Sequence, residues 1–289
     1  MSRSRVARAM APYVLALPGG LWLAIFFIVP MVVMLSLSLQ QGDVVSGYRL
    51  TWHWQTYLEG ISTYDTQIVR SLGYGLVSTL LQILIGYPVA YWIAFHGGTR
   101  KATYLFLLLL PFFVSFVLRT ISWNFFLADD GILLGPLKSI GLLPDGFHVL
   151  ATSGAVIGGL TYNFLPFMVL PLYVALERVN PAVLEAAYDL YASRFQAFLR
   201  VILPLSLPGM FAGVLMTFVP ASSDYVNASV LGGTQNTMIG NVIQNQYLVT
   251  QDYPTAAALS FTLMALLLVG IFLYARVLGT EDVLKATTR

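Results

Sequence analysis

The sequence predicts an all-α polytopic membrane protein with six transmembrane helices, and three observations lead there. Of its 289 residues, 57% are hydrophobic and only 10% are charged, where a soluble domain carries about 25% charged residues. Apolar runs of about 20 residues, the length of a bilayer crossing, recur at residues 13–37, 67–95, 102–127, 151–176, 205–227 and 253–277. Lys and Arg gather in every second connecting segment, the pattern of the positive-inside bias. Cysteine is absent, which excludes a disulfide framework and a thiolate metal site.

Taken in order, the chain opens on MSRSRVARAM, which resembles the basic start of a signal peptide. The apolar run behind it is too long for such a peptide and no small-residue cleavage site ends it, so it reads as a retained first span. That span and residues 40–64 read as an appendage on a five-span core, giving segments 1–65, 66–278 and a tail 279–289. In the second span Gly73, Gly75 and Gly86 permit close helix approach. The outer loop 129–150 is rich in Gly, Pro and Asp and reads as turns. In the fourth span Pro166 and Pro171 predict a kink, and Asn163 needs a polar partner. In the loop 228–252, the apolar stripe Met238, Ile239, Val242 and Ile243 predicts a short helix folded on the bundle.

Orientation follows from the basic residues. Arg3, Arg5, Arg8, Arg100, Lys101, Arg178, Arg194, Arg200, Arg276, Lys285 and Arg289 fall on one side. The opposite side holds Arg49, Lys138 and, at a span edge, Arg70, with acids such as Asp43, Glu59, Asp65, Asp129, Asp130, Asp145 and Asp252. The first side is therefore expected to be cytoplasmic, with both termini there.

The segment between the fourth and fifth spans carries the most information. Asn180 and Pro181 form a helix start, a polar N-cap followed by a residue whose missing N–H costs nothing. Val183, Ala186, Ala187 and Leu190 then share one narrow face. Glu185 and Asp189, a like-charged i, i+4 pair, call for an outside cation such as Arg178 or Arg194. Ser193 to Gln196 has the form of a capping box and starts a second short helix, which Pro204 and Pro208 are expected to interrupt. The result is two short amphipathic helices with a corner at Tyr191 and Ala192. Such helices could lie on lipid headgroups, but Ala and Val in place of Trp and Lys suit packing against protein.

Glu185-Ala186-Ala187, Leu190, Ala192, Ser193, Phe198, Val201, Leu203-Pro204 and Pro208-Gly209 resemble the EAA cytoplasmic loop of ABC-importer permeases. The resemblance implies a type I ABC-importer-like permease fold. It also implies a coupling helix for an ATPase, with Val183, Glu185, Ala186, Ala187, Leu190, Tyr191 and Ser193 at the contact. Tyr191 stands where that family usually has Gly, which alone takes positive φ freely. Pro111, Leu118-Arg119-Thr120, Trp123, Phe164-Leu165-Pro166-Phe167, Leu231-Gly232-Gly233 and Ile239-Gly240-Asn241 are similar to the spermidine/putrescine-type permeases. That likeness implies a second permease forming a heterodimer, two ATPase subunits that bind the ATP and Mg, and an extracytoplasmic solute-binding protein. The setting is a bacterial inner membrane with its lipid. No cofactor on this chain and no nucleic acid are implied.

Two ionisable residues stand inside apolar runs, Arg119 and Asp224, and intramembrane charges are functional candidates by default. If their spans adjoin they form an ion pair; alternatively Asp224 faces a water-filled path and meets a cationic solute, with Pro220, Ser222 and Ser223 opening the helix. Tyr225, Asn227, Asn163 and Trp123 are the other candidates for that path. Of the aromatic residues Trp123, Phe125, Phe126, Tyr162, Phe164 and Tyr225, most read as an interfacial belt, and a few could cage an ammonium. There is no P-loop, no HExxH and no His within a span, so neither catalysis nor a metal site is supported. A self-sufficient carrier or channel is the alternative function; it lacks the paired repeats such carriers show and has no need of the inner loop.

Overall fold

The computed structural model describes residues 15–144 and 146–277, which divide into two compact units. One comprises the residues up to Thr63 with Ile243–Thr262; the other comprises Tyr64–Val242 with Leu263 onward.

In the first unit, helix α1 (Leu15–Ser38) is long and apolar enough to cross a membrane. It is followed by a two-stranded antiparallel hairpin, β1 (Gln40–Asp43) and β2 (Gly47–Leu50), and a short helix α2 (Gln55–Thr63). The hairpin adds a small β element to an otherwise helical chain. Its turn is closed by Asp43, whose carboxylate accepts from the N–H groups of Val45 and Ser46 and from the Ser46 hydroxyl. Those donors hold the carboxyl below its ordinary pKa. Tyr57 ties α2 to the end of α1 through a 2.7 Å hydrogen bond with Ser38.

The second unit is a bundle built on α3 (Asp65–His96), α7 (Ser153–Glu177) and α9 (Arg194–Ser223). On α3 the buried positions are Ile68, Ser71, Gly75, Ser78, Thr79, Gln82, Gly86, Tyr87, Ala90, Ile93 and Ala94, a stripe made mostly of small and polar residues with an isoleucine near each end. Lipid tails are as apolar as Leu, so close backbone approach and interhelical hydrogen bonds hold such a bundle. Gly75 lies directly against Ser222 of α9, and Gly86 against Met168 and Val169 of α7, whereas open space faces Gly73. Tyr87 bonds to Ser206 of α9 at 2.7 Å. Tyr87, Ala90, Met168, Val169, Leu172, Leu176 and Ile202 form one buried cluster, and Val156, Leu160, Phe164, Ala221, Ala228 and Met238 a second.

The third run is not one straight span. Helix α4 (Lys101–Leu109) passes into a 3-10 turn, Leu110–Phe113, and α5 (Phe116–Leu127) leaves at 88° to it. Val114 and Ser115 are extended, with ψ of 141° and 136°, behind Pro111 in the tight turn. Proline lacks the amide that would continue an α-helical ladder, and two extended residues then redirect the chain. Helix α7 is continuous through Pro166 and Pro171. One proline expectation also changes. Pro204 and Pro208 do not end the helix that starts at Arg194, because a π-helical turn, Phe198–Ile202, precedes Pro204. A wider turn of that kind already shifts the hydrogen-bond ladder where the first ring must fit.

Short helices complete the unit. In the loop read as turns, α6 (Leu134–Ser139) forms. The others are α8 (Pro181–Asp189) and α10 (Val226–Leu231); the division into units falls within α11 (Ile239–Asn245) and within the last helix, α12 (Tyr253–Val277). The Gly75–Ser222 approach yields a test. Gly75→Val should lower the thermal unfolding temperature of the detergent-purified chain, by overpacking worth about 1–3 kcal/mol. Gly73→Val should leave it nearly unchanged, and equal effects at both positions would contradict this packing.

Candidate functional site

The inner elbow forms as its caps dictate. The Asn180 side chain accepts from the amide of Ala182 at 3.0 Å, starting α8. Ser193 and Gln196 bond reciprocally, at 3.0 and 3.3 Å, and start α9. Both capping-box bonds are therefore made. Between the two starts Tyr191 takes φ +59°, so the corner keeps a left-handed backbone although its residue is not Gly. Tyr191 tolerates that backbone with its ring 96% exposed.

Within α8, Leu184 packs on the bundle core, while Val183, Glu185 and Ala186 stay exposed and Ala187 is half-buried. Leu190 is 81% exposed and Phe195 69%. The elbow thus turns an apolar edge outward. Glu185 and Asp189 do not pair with Arg178 or Arg194; among the described residues the ion pairs are Lys101–Glu177 at 2.9 Å and Lys138–Asp129 at 3.0 Å. Exposed carboxylates are hydrated already and gain little from a cation at the cost of two ordered side chains.

At the other break the two intramembrane charges are both buried, Arg119 to 7% and Asp224 to 8% exposure, yet they do not touch as an ion pair. Two carboxamides link them. Arg119 Nε donates to Asn163 Oδ1 at 2.7 Å. Asn163 Nδ2 donates to Asn227 Oδ1 at 2.9 Å and to Thr120 Oγ1 at 3.1 Å. Asn227 donates to Asp224 Oδ1 twice, from its backbone N at 2.7 Å and from Nδ2 at 3.2 Å. Every link donates in one direction, from guanidinium to carboxylate. A guanidinium can only donate and an ionised carboxylate can only accept, so the orientation of both amides is set by the ends.

The same residues brace two breaks in the bundle. Arg119 Nη1 donates to Pro111 O at 3.0 Å, across the bend of the third span. Asp224 follows the end of α9, and its carboxylate caps the start of α10. The Arg119 guanidinium lies 4.3 Å from the Phe112 ring centroid, with the Phe116 and Tyr162 rings at 5.8 and 5.6 Å. Beside it opens a cleft of about 500 Å³ lined by Pro111, Val114, Ser122, Trp123, Phe126 and Tyr162. Trp123 and Tyr162 meet edge to face at 5.2 Å, whereas Tyr225 is half-exposed beside Asp224.

Of the candidates chosen from sequence, Arg119 and Asn163 thus join Asp224 in one network, Trp123 lines the adjacent cleft, and Tyr225 stands at the break. Thr120 and Asn227 are full members of the network, and Pro111 supplies a carbonyl to it. Their signal was polar side chains inside apolar runs, each of which must find a partner. The loop after α10 is laced down by side chains as well. Arg70 donates to Thr237 O at 3.0 Å, Ser71 accepts from the Ile239 amide at 2.7 Å, and Tyr74 donates to Asn236 at 2.9 Å.

A family profile described as binding-protein-dependent transport system inner membrane component matches residues 10–278, nearly the whole chain. The chain belongs to this family. As such a component it is a multi-pass inner-membrane permease subunit and not an enzyme. The permease is 37% identical over 256 residues to the spermidine/putrescine transport system permease protein PotB of Haemophilus influenzae, a match covering 88% of this chain and 90% of that one. It is 34% identical to PotB of Escherichia coli over 88% of this chain and 93% of the relative. A solved bacterial ABC transporter for alginate import has a chain that superposes with a TM-score of 0.70 at 21% identity, covering 95% of this permease and 97% of that chain. A chain of the MetNI methionine ABC transporter superposes at 0.52 and 19% identity, over 78% of the permease and 96% of that chain. The fold is that of ABC-importer permeases.

The elbow supplies the test at this site. Tyr191→Gly should relieve a left-handed backbone strain of about 1 kcal/mol, measured as slower amide exchange at residues 188–193. Faster exchange in that variant would show that the Tyr191 ring, and not the cap geometry, orders the corner.

Proposed function

We propose that this permease forms half of the translocation path of an ATP-driven importer for polyamines of the spermidine and putrescine kind. Its likeness to PotB supports the solute. The other half of the path is a second permease, two ATPase subunits bind ATP and Mg, and an extracytoplasmic binding protein delivers the solute. Both termini and the elbow face the cytoplasm, in keeping with the basic residues Arg100, Lys101, Arg178, Arg194 and Arg200 on that side.

The observation that carries this reading is the elbow. Val183, Leu190, Tyr191 and Phe195 present exposed apolar surface next to the free carboxylate of Glu185. Contiguous apolar surface on a polar rim marks a protein contact, and the ATPase is the partner that needs one on this face. Val183, Glu185, Ala186, Ala187, Leu190, Tyr191 and Ser193 form or position that contact.

On the solute side, Asp224 and Tyr225 form the contact for an ammonium group. Asp224 Oδ1 is committed to Asn227, and Oδ2 is the oxygen assigned to the solute. The aromatic cleft has a different role. Its ring Tyr162 already lies beside the Arg119 guanidinium, and a fixed cation there repels a second one. Trp123 and Asn163 therefore act as wall and support, not as an ammonium cage.

Vesicles containing the whole complex should take up spermidine only with ATP and the ATPase present; uptake by this chain alone without ATP would refute the importer reading. Glu185→Ala should lower uptake about tenfold or more while the chain accumulates normally and the complex still hydrolyses ATP, since a hydrogen bond to a charged group is worth on the order of 1.5–3 kcal/mol. Unchanged uptake in that variant would place the ATPase contact elsewhere.

A further inference from the structure

The hydrogen-bonded chain from Arg119 to Asp224 does more than neutralise two buried charges. We infer that Asn163 and Asn227 are positioning residues that fix the Asp224 carboxylate so that one oxygen is withdrawn and the other presented. This rests on the reading of Asp224 as the solute contact.

Three observations support it. First, Asn227 uses two donors on the same oxygen, Oδ1, so the rotation of the carboxylate about its χ2 bond is fixed from one side. Second, the Asn227 amide has one orientation open to it, with Nδ2 donating to the carboxylate and its own oxygen turned to Asn163. That oxygen accepts from Asn163 at 2.9 Å, and Asn163 must turn its own oxygen to Arg119, 2.7 Å away. The guanidinium thus dictates the amide orientation two residues further along, and with it the carboxylate. Third, Asn163, Asn227 and Thr120 are fully buried. Water does not compete for these bonds, and a polarised chain in such surroundings strengthens each of its links. Thr120 holds the end in place: its hydroxyl donates to Phe116 O at 3.0 Å and accepts the second N–H of Asn163.

The separating variant is Asn163→Asp. A carboxylate at this position accepts from Arg119 directly, so the guanidinium keeps a partner and the fold keeps its brace, but the donor to Asn227 is gone. Radiolabelled spermidine would be titrated onto the purified, nucleotide-free complex of both permeases and the ATPase without its binding protein. The expected result is a dissociation constant about tenfold weaker with unchanged stoichiometry, the size of one buried hydrogen bond. Asp224→Asn should weaken binding by a similar factor, and the double variant should be little worse than either single one, because both act on one carboxylate. A merely structural role would instead reduce the number of sites and leave their affinity alone. Thr120→Val, which removes a side clamp while preserving volume, should weaken binding about threefold, and it answers the question if Asn163→Asp does not accumulate. Wild-type affinity in Asn163→Asp or, failing that, in Thr120→Val, beside weakened affinity in Asp224→Asn, would overturn the positioning role alone. Wild-type affinity in Asp224→Asn, or no saturable binding to the unaltered complex, would overturn the solute contact on which it rests.

Discussion

Charge buried among apolar helices is the constraint that organises the second unit. An arginine and an aspartate withdrawn from water each cost several kcal/mol unless polar groups replace the lost hydration. The chain meets that cost with neutral amides in place of a direct salt bridge. Arg119, Asn163, Asn227 and Asp224 come from four elements, α5, α7, α10 and the break before α10. Holding them in line fixes those elements against one another. The aromatic rings around Arg119 add a second, softer form of solvation.

The rest of the bundle reflects the weak hydrophobic driving force between helices in lipid. Small residues bring α3 against α7 and α9, and hydroxyl or amide groups finish the contacts, as Tyr87 does with Ser206. The two breaks, after Pro111 and after Ser223, would expose backbone carbonyls and amides. Arg119 covers the first, through Pro111 O, and Asp224 the second, through the amide of Asn227. Irregular backbone at membrane depth persists where side chains satisfy it in this way. The breaks and the buried charges are thus one device seen from two sides.

At the opposite face the constraint is reversed. The elbow keeps apolar side chains in the open and holds its shape with caps and one left-handed residue. Local hydrogen bonds at its two caps set its shape, while Leu184 and Phe198 pack against the core.

Apolar run length and basic-residue asymmetry made the spans legible, and the caps at Asn180 and Ser193 made the elbow legible, because both signals are local. Short-range rules could also place the bend near Tyr191, since few residues close a corner between two such helix starts. What local rules could not decide was how each proline is accommodated. Pro111 turns the chain by 88° while Pro166, Pro171, Pro204 and Pro208 sit within continuous helix. Nor could sequence decide between an ion pair and separate sites for Arg119 and Asp224. Their connection passes through Asn163 and Asn227, residues 44 and 3 positions away along the chain, and only the packing of α5, α7 and α10 brings those amides into line.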